Sequence, residues 1–407
     1  VAPNGIGREA FWEALVAGRS GIGPITRFDC SGLPVKIGGQ VDEIDYSSYI
    51  KTCKISRMKR FARLAIVAAR MAADDAGISL NSATAPRTGA CFGSTIAGFP
   101  AEREFGAFVK RGFRGINPTA WVDANPHAAT SYVAIELGIT GPVITICSGC
   151  STGLDTIGSG FHMIRENRAD TVFCGASDTP LTPLAFSAMC ASGILSTYGG
   201  DPAKASRPFA RGRDGIVLSE GAASVVLEEL ETALGRGAEI YAEVLGFSSN
   251  SEAGEMVDTD PSGRAISRAM ESVLAQSMLL PEDIDYIHAH GSGFPDGDLA
   301  DTNAIKRTFG STAYSIPVST IRSMTGQALA ASGVLQAVST ALTLRFGIVP
   351  PTINCEDPDE LCDLDYVAEG ARRVRARRAV LNSTSVGGTH GVLLLGRPDC
   401  SGRKAGG

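Results

Sequence analysis

Cys147 and Cys150 stand in the run Cys147-Ser148-Gly149-Cys150, after the apolar residues Val143, Ile144, Thr145 and Ile146 and before Ser151, Thr152 and Gly153. The pattern predicts a buried strand over 142–146, a tight Ser-Gly turn and a helix over 151–166, with Cys150 at its head. A thiol at a helix N-terminus lies at the positive end of the macrodipole, which favours the thiolate. Backbone N–H groups of such a turn can also hold an oxyanion. The chemistry on offer is nucleophilic and covalent. Spacing alone leaves other readings open. C-x-x-C also fits a redox pair or half a metal site, and Cys147 also fits a small core residue. No second C-x-x-C or His pair completes four zinc ligands, so no metal is expected.

A second segment carries imidazoles. Residues 284–289 read as a buried strand, and two-residue alternation puts His288 and His290 on one side of it. His290 stands at the strand end before Gly291-Ser292-Gly293, where side chains reach a cleft. The plain alternative is a pair of satisfied structural imidazoles. Two of the chain's five His fall here, which favours the site reading. The stretches 319–327 and 382–390 have the Gly, Ser and Thr content of functional loops, though turn geometry alone also explains such glycines.

These segments need elements to hold them. In the first half, helices are expected near 11–16 and over 56–77, and strands over 88–94, 142–146, 170–175 and 222–228. In the second half, strands are expected over 242–246, 284–289, 378–382 and 391–395, and helices over 265–277, 299–309 and 328–346. Strands alternating with helices predict α/β layers with parallel pairing. The chain divides at a hinge near 230–242 into halves of similar grammar, 1–235 with Cys150 and 236–407 with the His and Gln loops. Sequence similarity between the halves is too weak to prove a repeat.

The 407 residues are 44% hydrophobic and 20% charged, which excludes a mainly disordered chain. The formal net charge of −6 points away from nucleic acid. No uncharged apolar stretch is long enough to span a bilayer, and no signal peptide is visible, so no membrane role is expected. Ten Cys in a chain of this length are too sparse for a disulfide scaffold, and reduced thiols in the cytoplasm are the default reading.

Together the motifs resemble the β-ketoacyl synthases, the elongating condensing enzymes of fatty-acid and polyketide synthesis. The resemblance runs over essentially the whole chain, and includes Ser20-Gly-Ile-Gly-Pro-Ile-Thr-Arg-Phe28, Ala205-Ser-Arg-Pro-Phe209 and Arg213-Asp-Gly-Ile-Val-Leu-Ser-Glu-Gly221. It implies a thiolase-like fold of two similar layered α/β halves (α-β-α-β-α), with an opening strand expected before Val1. It makes Cys150 the acyl-accepting nucleophile, Cys147 its structural neighbour and His290 the first active-site histidine. The family's lysine and second histidine fall on Arg322 and Gln327, and the carboxylate that pairs with the lysine falls on Asp301. The gatekeeping phenylalanine falls on Val386, and the asparagine after Gly-Gly-Thr on His390. Ser292 and Phe294 take the place of threonines near pantetheine, and Thr389 lies in the same substrate region.

The departures shape the expected reaction. Gln327 can donate an N–H to a thioester oxygen but cannot titrate. Arg322 is permanently charged and forked, unlike lysine. His390 is expected to return an imidazole to the cavity from another loop. The expected activity is therefore an acyltransferase that loads a chain from an acyl carrier protein onto Cys150 and forms a C–C bond or closes a ring, by aldol or lactone chemistry, without malonyl decarboxylation. The alternatives are an ordinary decarboxylative synthase and a partner subunit that sets chain length. No cofactor is expected beyond the phosphopantetheine that arrives on the carrier. Basic Lys54, Arg57, Lys59 and Arg60 are the expected carrier-docking charges, and a homodimer is the expected assembly, with a heterodimer left open.

Overall fold

The computed structural model describes residues 1–97 and 101–398. Its frame is a pair of mixed sheets. In the N-terminal half the strands are β1 (Thr88–Gly93), β2 (Val143–Ile146), β3 (Thr171–Asp178) and β4 (Gly221–Glu228), in the order β2-β1-β3-β4. In the C-terminal half they are β5 (Glu243–Ser251), β6 (Tyr286–His288), β7 (Val318–Ser319), β8 (Arg378–Thr384) and β9 (Thr389–Gly396), in the order β5-β9-β8-β6-β7. Parallel pairing was the expectation, and it holds for β1 with β2 and β3, and for β6 with β7 and β8. It fails at β3/β4, β8/β9 and β9/β5, which are antiparallel. The β8–β9 link is short enough for a hairpin, and a parallel partner would need a crossover.

Helices fill the remaining layers. Between the sheets run α5 (Thr152–Arg165) and α9 (Ala330–Phe346). Their Leu154, Ile157, Met163, Val334 and Leu335 share a core with Val172 and Cys174 of β3 and with Leu381 and Leu393 of the other sheet. The two helices touch at glycines. A Cβ on Gly153 would lie 2.5 Å from the Ala330 carbonyl, and one on Gly333 would lie 2.9 Å from the Leu154 nitrogen. Only glycine permits that approach.

On the outer face of the N-terminal sheet, α2 (Arg60–Ala76) buries Phe61, Leu64, Ala65 and Val67 against Ala90, Phe92 and Phe173. The expected stripe is there, but the helix starts later than predicted, after a short 3-10 turn at Ile55–Arg57. On the far face of the other sheet, α7 (Arg264–Gln276) and α8 (Pro295–Phe309) cover Ile287, Val380 and Val392. The layers are thus α-β-α-β-α, and strands buried on both faces explain the unbroken apolar runs of β8 and β9.

Among the described residues, three longer helices were not foreseen, Ala101–Arg111, His127–Leu137 and Pro183–Ser192, and neither were the short ones at Ala120–Asp123, Leu230–Gly235 and Arg322–Thr325. The last two of the longer helices lack a polar face, so the helical period leaves little trace in them. The first of them shows Phe105, Phe108 and Val109 to solvent. Among the described residues no helix is long and apolar enough to cross a membrane.

Candidate active site

The nucleophile turn is built by the N-terminal half and pinned by the C-terminal half. After β2, Gly149 takes φ 71°, and a Cβ there would lie 2.9 Å from the Ser385 side chain. Cys150 follows in a 3-10 turn (Gly149–Ser151) that leads into α5. Ser385 holds the turn twice: its hydroxyl accepts from the Ser151 N–H at 2.7 Å and donates to the Ser148 carbonyl at 2.7 Å. Thr389 donates to the same carbonyl at 3.2 Å, and Ser383 donates to the Cys150 carbonyl at 3.1 Å. Thr389, expected to contact substrate, thus engages the turn instead.

Cys150 is 7% exposed, and burial pushes its thiol up to about 11. The helix-head argument predicted the opposite direction. Desolvation outweighs the influences that favour the thiolate, which are the Arg322 charge, the Val386 backbone N–H and the Gln327 side-chain N–H, both N–H groups being donors to the sulfur. Val386 therefore acts through its backbone, while its side chain is about half exposed. Cys147 is exposed and its sulfur contacts the Thr95 carbonyl at 3.4 Å.

Around the thiol lies an apolar cluster with Ile25, Leu181, Phe186 and Leu329, against which Phe28, Ile96 and Phe294 pack. Phe294 thus adds to an apolar wall. Ser292 is buried, and its hydroxyl accepts from the Phe294 N–H at 3.4 Å.

His290 and His288 differ in the way the alternatives required. His288 is fully buried, with Nδ1 2.9 Å from the Thr340 hydroxyl and Nε2 accepting from the Ile321 N–H at 3.4 Å; it is a structural imidazole. His290 Nδ1 accepts from the Thr384 N–H at 3.2 Å. Burial, and then the Arg322 charge, hold this imidazole neutral, well below its ordinary range. A neutral ring that accepts at Nδ1 carries its proton on Nε2, so His290 is an N–H donor.

Gln327 is 3% exposed. Its Oε1 accepts from Arg322 Nε at 3.0 Å and from the Ser332 hydroxyl at 2.8 Å, which turns its amide N–H toward Cys150. Arg322 also donates to the His290 carbonyl at 2.6 Å, so one guanidinium grips both neighbours.

Asp301 departs from expectation. It makes no ion pair with Arg322 among the described contacts, and instead accepts from the Gly291 N–H and the Asn382 side chain, each at 2.7 Å. One oxygen holds the loop that carries His290, and the other ties it to β8. Burial raises its carboxyl to about 7. His390 also departs. It is 1% exposed, with Nδ1 at 3.1 Å from the Thr384 hydroxyl and Nε2 at 3.3 Å from Glu252, so both nitrogens face the sheet's own side chains rather than the sulfur. Burial lowers it to about 4.

Several residues here were not foreseen. Asp178, at the end of β3, accepts from Ser94, Thr95, Ile96, Ala97 and Ala330, tying the loop after β1 to the head of α9. Asp298 accepts from the backbones of Phe209, Ser292 and Gly293. A strand-ending Asp before Thr-Pro was the available signal for Asp178; its partners lie too far along the chain to be read.

The basic residues divide. Arg60 is bound to buried Glu220 at 3.0 Å, and Lys59 to Glu104 at 2.9 Å. Those charges are held internally, contrary to expectation, whereas Lys54 and Arg57 are exposed.

A cysteine at the head of a helix, faced by N–H donors inside two stacked sheets, is the constitution of a thiol-dependent condensing enzyme. Comparison with known proteins agrees. The beta-ketoacyl synthase N-terminal domain model matches residues 1–233, and the C-terminal domain model matches 241–356. A 3-oxoacyl-[acyl-carrier-protein] synthase 2 of Coxiella burnetii is 42% identical over 98% of this chain and 96% of the relative. The tetracenomycin polyketide synthase ketoacyl synthase alpha subunit of Streptomyces glaucescens is 39% identical over 98% and 95%. The solved complex of a type II polyketide acyl-carrier protein with its hexaketide-bound ketosynthase includes a chain matching at TM-score 0.90 and 32% identity, over 98% and 97% of the two chains. The chain belongs to the β-ketoacyl synthase family.

Proposed function

We propose that this ketosynthase accepts an acyl chain from a carrier protein onto Cys150 and extends it by decarboxylative condensation, with Gln327 serving where the family's second imidazole would stand. The observation that carries the reading is the fixed direction of the donors: His290 accepts at Nδ1 and Gln327 accepts at Oε1, so each has N–H left to offer. A base-driven aldol closure needs an imidazole nitrogen free to take a proton, and His290 Nε2 already carries one. Decarboxylation needs no base. The malonyl C–C bond breaks, carbon dioxide leaves, and the electron pair passes to an enolate whose oxygen two N–H donors can hold. The enolate carbon then attacks the Cys150 thioester carbonyl. The C–S bond breaks, the thiolate is restored, and the carrier departs with a 3-oxoacyl chain. The apolar wall of Phe186, Leu329 and Phe294 suits a hydrocarbon acyl group.

Carrier docking is proposed at exposed Lys54 and Arg57, of which Arg57 lines a crevice of about 240 Å³ together with Arg103 and Arg111. Pairing with a second copy is proposed along the free edge of β2, where Val143 is exposed.

The test is carbon dioxide release from malonyl-loaded carrier with an acyl donor present, comparing the wild type with Cys150→Ala. Release and chain extension that both need Cys150 are expected. An acyl adduct on Cys150 without release would overturn this reading in favour of ring closure or acyl transfer.

A further inference from the structure

Among the described residues Arg322 is the largest fully buried side chain, 1% exposed, and its described hydrogen bonds go to no carboxylate. A buried guanidinium is costly unless its N–H groups are satisfied. Here neutral oxygens satisfy them. The acceptors are the His290 carbonyl at 2.6 Å, Gln327 Oε1 at 3.0 Å and Gln336 Oε1 at 3.5 Å. Gln336 is itself aimed, because its Nε2 donates to the carbonyls of His288 at 2.5 Å and Asn382 at 3.1 Å, leaving Oε1 for Arg322. Ser332 is aimed too: its hydroxyl accepts from the Ala328 N–H at 2.8 Å, so its hydrogen is free for Gln327 Oε1. Every bond on this path has one direction. Arg322 donates to Gln327, and Gln327 donates to the Cys150 sulfur. Flipping the Gln327 amide would set its NH₂ against the Arg322 and Ser332 donors.

We propose that Arg322 is a positioning residue that locks the Gln327 carboxamide with its N–H toward Cys150, fixing by a permanent charge the direction of a donor that a neutral histidine could supply at that place only as one of its two tautomers. Lysine would keep the charge but lose the forked reach to His290 and Gln327 together. The proposal rests on Cys150 being the acyl-accepting thiol.

The experiment is a double-mutant cycle on the whole protein with Arg322→Lys and Gln327→Ala. It is read by the iodoacetamide alkylation rate of Cys150 against pH and by the rate of acyl transfer from acyl-carrier protein. Arg322→Lys and Gln327→Ala are each expected to slow acyl transfer about tenfold, and the double variant to be no slower than about twofold beyond Gln327→Ala. The same non-additivity is expected in the alkylation midpoints. Fold-losses that multiply, or an unchanged Arg322→Lys, would overturn the proposal. If Arg322→Lys does not fold, Ser332→Ala with Gln327→Ala gives the same cycle from the second donor, where multiplying losses again overturn it. An acyl adduct that still forms in Cys150→Ala would instead show that the nucleophile assignment, not the positioning, has failed.

Discussion

The two halves place different chemistry on one topology. Sheet order β2-β1-β3-β4 matches β7-β6-β8-β9, with the same parallel and antiparallel pairings. In each half the outer parallel strand runs into a turn, and the helix that follows enters between the sheets. At that place the N-terminal half presents Cys150, and the C-terminal half presents Arg322 and Gln327. The strand beside it ends two residues before Thr95 in one half and two residues before His290 in the other. On the proposed mechanism one half offers an electron pair, and the other offers N–H donors beside it. The halves also differ at the far edge. β5 covers β9, whereas the free edge of β4 faces a crevice of about 640 Å³ lined by Val225, Phe161 and Tyr241. Cys150 and His290 are not among its walls, so its size says nothing about the reaction.

The sharpest way to break the comparison is to remove each half's contribution separately. Cys150→Ala should abolish the acyl adduct and lower turnover by about a thousandfold or more, since no other described thiol combines this turn with these donors. Gln327→Ala should still reach the full adduct, about tenfold more slowly, and cost about ten- to a hundredfold in the later step, as loss of one oxyanion donor does. Intact-protein mass and carbon dioxide release measure the two. An adduct missing from Gln327→Ala would show that the halves do not divide the work in this way.

Charge tests the outer surface of the first half. Reversing Lys54 and Arg57 to Glu should raise KM for carrier protein about tenfold, with kcat unchanged and the effect shrinking as salt rises. The same reversal at Arg60 should instead destabilise the fold, because buried Glu220 would lose one of its two arginine partners and face a like charge. A salt-independent KM would move the docking surface elsewhere.

Much of this was legible in the sequence because it is local. The 142–155 run gave strand, turn and helix; the apolar stripe gave α2; and Gly291-Ser-Gly after His290 marked a strand end. What was not legible depends on contacts across the chain. Ser385 meets Ser148 over more than two hundred positions, and nothing in either neighbourhood announces it. Asp301 could be placed near the site, but not assigned to Gly291 and Asn382 rather than to Arg322. The thiol's direction was misjudged because a local helix effect is visible in sequence and burial is not. Lys59 and Arg60 looked free for the same reason.

Asp301 offers a pH lever within the second half. Its folded carboxyl, raised to about 7, lies above the ordinary value of 3.8, so the folded state holds the proton more tightly. Its contribution to stability is present in full below about pH 4 and is lost as pH rises through about 7. Asp301→Asn should lower stability by about 1–2 kcal/mol through a mispaired amide and flatten the urea midpoint between pH 4 and 7. Parallel pH curves for wild type and variant would show that the carboxyl does not titrate in that window.

The smallest effect is expected where the family's gate would be largest. Val386 gives the sulfur its backbone N–H, while its side chain stands about half exposed beyond a turn in which Gly387 and Gly388 have φ 91° and 69°. Val386→Ala keeps that N–H and the turn, so kcat should stay within about threefold, with any change confined to which acyl chains are accepted. Gly388→Ala changes the same loop from below, since its Cβ would come within 2.4 Å of the Glu252 side chain at a positive φ. That substitution should move the Val386 N–H and slow acylation by more than Val386→Ala does. If Val386→Ala proves the more damaging of the two, the side chain rather than the backbone is what the second half contributes at this position.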